Sequence, residues 1–141
     1  MNSEETRRKI LEAAMKLFSE KSYHEVSVDE IAREAGISKG GLFHHFSSKY
    51  ELAKSVFLEF VKRWEERLEV AMRKESTPQE VLETLLDTMF DFIKQNRKLY
   101  RFFLELYEES LKRGDFAEGW KSIAEKYLTL IENLLRKAGV K

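Results

Sequence analysis

Apolar side chains recur every three or four positions along nearly the whole chain, and no stretch alternates with period two over a strand's length. Over Ser3–Glu20 the apolar positions Ile10, Leu11, Ala14, Leu17 and Phe18 share one helical face. The run Val26–Leu52 then breaks into shorter pieces. Ser27-Val28-Asp29-Glu30 is a capping box, in which the Ser oxygen and the Glu carboxylate each accept a backbone N–H left over at a helix start. Val26 and Ile31 flank it as a hydrophobic staple. Gly36 stands where a left-handed residue closes a helix, Ile37 tucks the turn into the core, and Ser38 caps a new helix. Ser48-Lys49-Tyr50-Glu51 is a second capping box. From it Leu52, Val56, Phe57, Phe60, Trp64, Leu68 and Met72 continue at helical spacing to about Lys74. Such a helix is roughly 36 Å long at about 1.5 Å per residue.

Three further helices are predicted. Thr77-Pro78-Gln79-Glu80 starts a fifth, with Val81, Leu82, Leu85, Leu86, Met89, Phe90 and Ile93 as its apolar positions. After the polar Gln95-Asn96-Arg97, a sixth carries Leu99, Tyr100, Phe102, Phe103, Leu106, Tyr107 and Leu111 and ends at Gly114. Asp115, with Glu118 beyond it, opens a seventh that runs through Trp120, Ile123, Tyr127, Leu130, Ile131, Leu134 and Leu135 toward Gly139. The expected fold class is all-α. A three-helix head over residues 1–48 is joined by the long fourth helix to a helical bundle over residues 49–141.

Composition narrows the chemistry. The chain has 141 residues, enough for one core or a small head with a bundle, and its 43% hydrophobic content fits a folded protein. Cysteine is absent, so neither a disulfide framework nor a thiolate metal site is available. No apolar run is long enough to span a membrane and no signal-peptide pattern is present, so a soluble, cytoplasmic protein is expected. Net charge is zero, and the head is balanced as well. Arg7, Arg8, Lys9, Lys16, Lys21, Arg33, Lys39 and Lys49 stand against Glu4, Glu5, Glu12, Glu20, Glu25, Asp29, Glu30 and Glu34. The basic footprint usual for a nucleic-acid binder is missing. Phosphate affinity would then come from the placement of a few cations and helix N-termini, and useful affinity from pairing.

Helix, tight turn and second helix over Val26–Leu52 make the geometry that carries a recognition helix into the DNA major groove. Ile31, Ala32, Ala35-Gly36-Ile37-Ser38, Gly40, Leu42, His45-Phe46, Ser48-Lys49 and Leu52 stand at the spacings of the DNA-binding motif of the tetracycline-repressor (TetR) family. The segment Thr6–Leu52 therefore resembles that family's head, while beyond it the likeness is architectural only. Two positions depart from the pattern. Phe43 stands where the family usually has a tyrosine whose hydroxyl reaches a phosphate, and Ser22 where a glycine commonly ends the first helix. The resemblance also implies that the last two family helices, which form the dimer's four-helix interface, are lacking. Either the chain is cut short or it pairs through the helices it has. The apolar surplus of the fifth to seventh helices favours the former, and in both cases predicts association.

By the same resemblance the base- and phosphate-facing positions are Ser38, Lys39, Gly40, Gly41, Phe43, His44 and His45. Gly40 and Gly41 are poor helix formers but let a backbone approach DNA closely; the plainer alternative is a flexible turn. Lys39 suits a guanine edge or a phosphate, and both stay open. Leu42 and Phe46 read as core. Ser27 and Lys49 lie at helix N-termini, where N–H groups favour phosphate oxygens, with a cap or a solvated charge as the alternative. His44 and His45 diverge by about 100° on a helix. Even with His24 they do not read as a metal site, and no metal or other cofactor is expected. Phe60, Trp64, Phe90, Phe102, Phe103, Tyr107, Trp120 and Tyr127 are candidates to line a pocket for a small apolar or aromatic effector, although core packing explains most of them. The resemblance places such pockets between the fourth and seventh helices. Asp87 and Asp91 read as a solvated face, and no acid–base or nucleophile cluster marks an enzyme.

The reading that results is a TetR-like transcriptional regulator, a ligand-responsive repressor that binds palindromic double-stranded operator DNA as a homodimer. The rivals are a helical protein–protein interaction module without DNA binding, and an enzyme concealed in the bundle.

Overall fold

The first five helices of this chain begin where a side chain replaces the missing carbonyl partner of the first N–H groups, whereas Asn96 makes no such bond at the start of the sixth. A computed structural model describes residues 2–73, 77–115, 117–137 and 139. Among them the helices are α1 (Ser3–Glu20), α2 (Val28–Ala35), α3 (Lys39–His45), α4 (Lys49–Met72), α5 (Pro78–Gln95), α6 (Arg97–Arg113) and α7 (Ala117–Lys137), with a 3-10 turn at Tyr23–Glu25. The expected end of the fourth helix at Lys74 lies outside the described residues. Asn2 caps α1, its side-chain oxygen accepting the Glu5 N–H at 2.8 Å. Both partners of the capping boxes at Ser27/Glu30 and Thr77/Glu80 are in place. At the start of α4 the Ser48 hydroxyl accepts the Glu51 N–H at 3.1 Å, while the Glu51 carboxylate pairs with Lys54 at 2.9 Å. Gly36 sits at φ 73°, and its left-handed turn lets Ile37 N–H return to the Ala32 carbonyl at 3.0 Å. That turn separates α2 from α3.

The chain divides into two compact units, and α4 and α6 each contribute to both: Met1–Val61 with Arg97–Tyr107, and Lys62–Asn96 with Glu108–Lys141. In the first, the expected face of α1 is buried through Ile10, Leu11, Ala14, Leu17 and Phe18, and α1 packs on α2. Ile31, Leu42, Phe46, Leu52 and Val56 complete the core. The opening stretch of α6 closes it. Phe102 is fully buried and stacks on Phe18 with ring centroids 4.5 Å apart, and Phe103 packs edge-on to Phe60 at 4.5 Å and to Phe57 at 5.2 Å. Lys21 reaches from the end of α1 to the Glu30 carboxylate of the capping box. This bond holds the Glu30 carboxyl below its ordinary range. A lowered folded-state value means the tie contributes above the ordinary carboxylate pKa and is lost as pH falls through the lowered one.

In the second unit α5 packs on α7, with Leu68, Leu85 and Leu134 buried and Trp64, Met72, Val81, Leu82, Tyr127, Leu130 and Ile131 around them. Trp120 donates its indole N–H to the buried Ser110 hydroxyl at 3.0 Å, satisfying both groups. Leu86, Phe90, Leu111 and Leu128 stay exposed, as the surplus of apolar positions led one to expect. No helix among the described residues is long and apolar enough to cross a membrane.

The Phe18–Phe102 stack should dominate the first unit. Phe102→Ala is expected to destabilise it by about 3–5 kcal/mol, the usual range for a buried aromatic. Chemical denaturation would check this; a loss below about 1 kcal/mol would mean the stack is not central.

Candidate nucleic-acid interface

A seven-residue helix has too few hydrogen bonds to persist by itself, so α3 depends on what it buries. Leu42 is fully buried, and Phe46, at the helix end, lies under the Arg7 guanidinium at 5.2 Å from the ring centre. These two anchors turn the opposite side outward. Lys39, Gly40, Phe43 and His44 are exposed, and Gly41 and His45 are half-buried. Phe43 keeps 41% of its surface accessible, unusual for a phenyl ring on a short helix. The exposed Ser38 hydroxyl accepts the Gly41 N–H at 3.0 Å. Ser27, also exposed, caps α2. The residues expected from the sequence to face DNA therefore lie on α3 and at the helix starts flanking it.

The two glycines differ. A Cβ at Gly41 would come within 3.2 Å of the Ser38 oxygen, so bulk there disturbs the cap. At Gly40 the nearest atom would be 4.0 Å away, and the backbone needs no left-handed conformation. Nothing inside the fold requires Gly40 to lack a side chain.

The charges are arranged differently from a simple reading of the sequence. Lys39 faces Asp29 of α2 at 3.5 Å, both well exposed, a pair worth at most about 1 kcal/mol. Lys16 pairs with Glu34 at 2.6 Å, which raises the Lys16 pKa. Lys49 turns inward, where its ammonium donates to the carbonyl oxygens of Tyr23 at 2.9 Å and Val26 at 3.2 Å and lies over the Tyr23 ring at 4.3 Å. Sequence reasoning saw in Lys49 only a phosphate contact or a solvated charge. It missed Asp29 as a partner of Lys39, though Asp29 lies in the first turn of a helix that the turn folds back beside α3.

Of the aromatic residues expected to line an effector pocket, Phe60, Phe102, Phe103 and Tyr107 belong to the first unit, where Phe102 is fully buried, Phe60 and Phe103 are buried against each other and Tyr107 is exposed. Trp64, Phe90, Trp120 and Tyr127 belong to the second. There Trp64 packs on Phe92 at 5.3 Å and Tyr127 at 6.4 Å, and Phe90 is exposed. A cleft of about 510 Å³ on the first unit is lined by Arg8, Lys9, Glu12, Ala13, Lys16, Glu34 and Ala35, and none of those aromatics takes part in it. Among the described residues no group of three or more His, Asp or Glu could hold a metal ion.

An outward-facing short helix held by a tight turn against two others defines a helix-turn-helix protein of the DNA-binding class. Residues 10–56 match the family of bacterial regulatory proteins named tetR. The HTH-type transcriptional activator FasR of Mycolicibacterium smegmatis is 35% identical over 102 residues, 72% of this chain and 47% of the relative. The fatty acid metabolism regulator protein of Bacillus subtilis is 26% identical over 127 residues, 89% of this chain and 64% of the relative. The solved structure of the TetR family transcriptional regulator PfmR from Thermus thermophilus is 30% identical, with a TM-score of 0.68, and the likeness covers 94% of this chain and 72% of that one. The chain belongs to the TetR family of transcriptional regulators. It spans about half to two thirds of the length of the two curated relatives. All three relatives are named as regulators, and nothing in them supports an interaction module without DNA binding.

Asp29→Asn should release Lys39 and remove a negative charge beside α3. In fluorescence-anisotropy titrations, affinity for duplex DNA is expected to rise by up to about fivefold, the equivalent of an exposed ion pair of about 1 kcal/mol. An unchanged or weaker affinity would show that Lys39 is not restrained by Asp29.

Proposed function

We propose that this chain acts as a ligand-responsive repressor whose head reads DNA and which binds a palindromic operator as a two-fold dimer. The supporting observation is Gly40, exposed on α3, where a Cβ would meet nothing nearer than the Ser38 oxygen at 4.0 Å and nothing internal requires glycine. Glycine in a helix costs up to about 1 kcal/mol against alanine. A residue that weakens a seven-residue helix and does nothing for packing is explained by an outside surface that must come close to the backbone. A duplex meets that need: α3 enters the major groove, Gly40 and Gly41 pass near the sugar–phosphate wall, and Lys39 reaches a base edge or a phosphate. Phe43, with no hydroxyl to offer a phosphate, makes apolar contact with sugar or a thymine methyl. Ser38, His44, His45 and Ser27 border that contact. Lys49 serves it by fixing the start of α4.

With the charge of the head balanced and half of its cations engaged within the fold, a single copy binds weakly, so two copies must engage two half-sites. The exposed Leu86, Phe90, Leu111 and Leu128 support association of this kind. Small apolar effectors fit the aromatic content of α4 to α7, and the Bacillus relative is named as a fatty acid metabolism regulator. Because α4 and α6 each contribute to both compact units, an effector that favours one pose of these helices changes how the two copies of α3 are spaced, away from one DNA turn of about 34–36 Å.

Gly40→Ala separates folding from function. The substitution is expected to stabilise the fold by a few tenths to about 1 kcal/mol and to weaken binding to the cognate duplex at least about tenfold, equal to about 1.4 kcal/mol. Binding as tight as that of the unsubstituted chain would remove the close-approach argument. For Lys39→Ala, a loss of about 1–3 kcal/mol confined to one base pair marks a base contact. A uniform loss with a salt slope lower by about 1 marks a phosphate contact, and no change in either removes Lys39 from the interface.

A further inference from the structure

Helix α1 ends without the usual means of satisfying its last carbonyls. Its last turn holds no basic residue, and Lys21 and Ser22 leave it in extended conformations rather than in a left-handed cap. The cap comes from far along the chain. The Arg101 guanidinium of α6 donates to the carbonyl oxygens of Phe18 at 3.3 Å, Ser19 at 3.5 Å and Lys21 at 2.9 Å. A cation is thereby placed at the negative end of the α1 dipole.

One helical turn further on, the Glu105 carboxylate accepts the backbone N–H of Tyr23 at 2.8 Å. Its other oxygen is buried without a hydrogen bond, and the Arg101 Nε stands 3.3 Å from it, so Arg101 supplies the compensating charge. Tyr23 is thus gripped from two sides. Its N–H is held by Glu105 and its carbonyl by Lys49, whose ammonium also binds Val26. Its ring is buried against Phe18, which stacks on Phe102. Lys49 is the first residue of α4, and only a short connection separates it from the end of α3 at His45.

We propose that Arg101 and Glu105 are positioning residues for the recognition helix: by clamping the end of α1 and the Tyr23 turn, they fix, through Tyr23 and Lys49, the start of α4 and the orientation in which α3 is offered to DNA. The proposal rests on the DNA-reading function above but concerns residues that do not touch DNA. Each link is a direct contact inside one compact unit, and the relay ends at the start of α4, a short connection from α3. Sequence gives one clue to it: a helix end with neither glycine nor a basic residue needs a donor from elsewhere.

The test uses the full chain with Arg101→Ala, Glu105→Gln and Lys49→Ala, singly and in pairs. Glu105→Gln preserves shape and keeps the test open if Arg101→Ala fails to fold. Affinity for the cognate duplex is expected to fall about 3- to 30-fold, the range for residues acting on a site through others. The salt slope should stay unchanged, because no phosphate contact is lost. Pairing Arg101→Ala with Lys49→Ala should give less than the product of the single losses. Two-dimensional amide NMR without DNA should show the Tyr23 resonance shift in Glu105→Gln, together with those of Lys39–His45, while the Trp64 and Trp120 indole signals stay in place. Shifts confined to Tyr23, or affinities equal to that of the unsubstituted chain, would overturn the proposal, and so would a reduced salt slope. If the unsubstituted chain selects no duplex at all, the functional reading fails, and the NMR comparison still decides the positioning claim.

Discussion

The structure depends on two apolar side chains, Leu42 and Phe46, holding down a helix that could not survive alone. Burying them fixes which side of α3 meets solvent, and that side carries a lysine, two glycines, a phenylalanine and two histidines. Everything proposed about recognition follows from this division. A slip of one position would rotate α3 by about 100° and bring Phe43 inward in place of Leu42. The left-handed Gly36 turn and the Ser38 cap fix the register from the other end.

Much of this was legible in the sequence because its signals are local. Capping boxes, Gly36 and the spacing of apolar residues each act within a turn or two of chain, so helix starts such as Val28, Lys39 and Pro78 are where the sequence puts them. The outward placement of Lys39, Gly40 and Phe43 could be read for the same reason. What could not be read depends on distant partners. The 3-10 turn at Tyr23–Glu25 has no distinctive residue pattern, and it is held by Glu105 and Lys49 from α6 and α4. Lys49 looks like a surface charge until the carbonyls of Tyr23 and Val26 are seen to surround it. The aromatic residues resisted assignment because a ring in a core and a ring beside a ligand share the same helical spacing.

The balanced charge of the head also acquires a physical sense. Four of its eight basic residues are committed: Lys16 to Glu34, Lys21 to Glu30, Lys39 to Asp29, and Lys49 to backbone carbonyls. A surface of this kind has little attraction for an arbitrary duplex. It suits a protein whose affinity comes from the fit of two correctly spaced copies, since orientation then matters more than charge. The clamp at Arg101 and Glu105 belongs to the same logic, because small changes in the pose of α3 would be felt at both half-sites.

Selection of duplexes from a random pool by the chain, followed by sequencing and sizing of the complexes, decides whether the outward side of α3 reads DNA. An inverted repeat whose half-site centres lie one helical turn apart, about 34–36 Å, should be enriched and bound by two copies. No enrichment, or the same enrichment with the outward residues of α3 replaced by alanine, would contradict that reading.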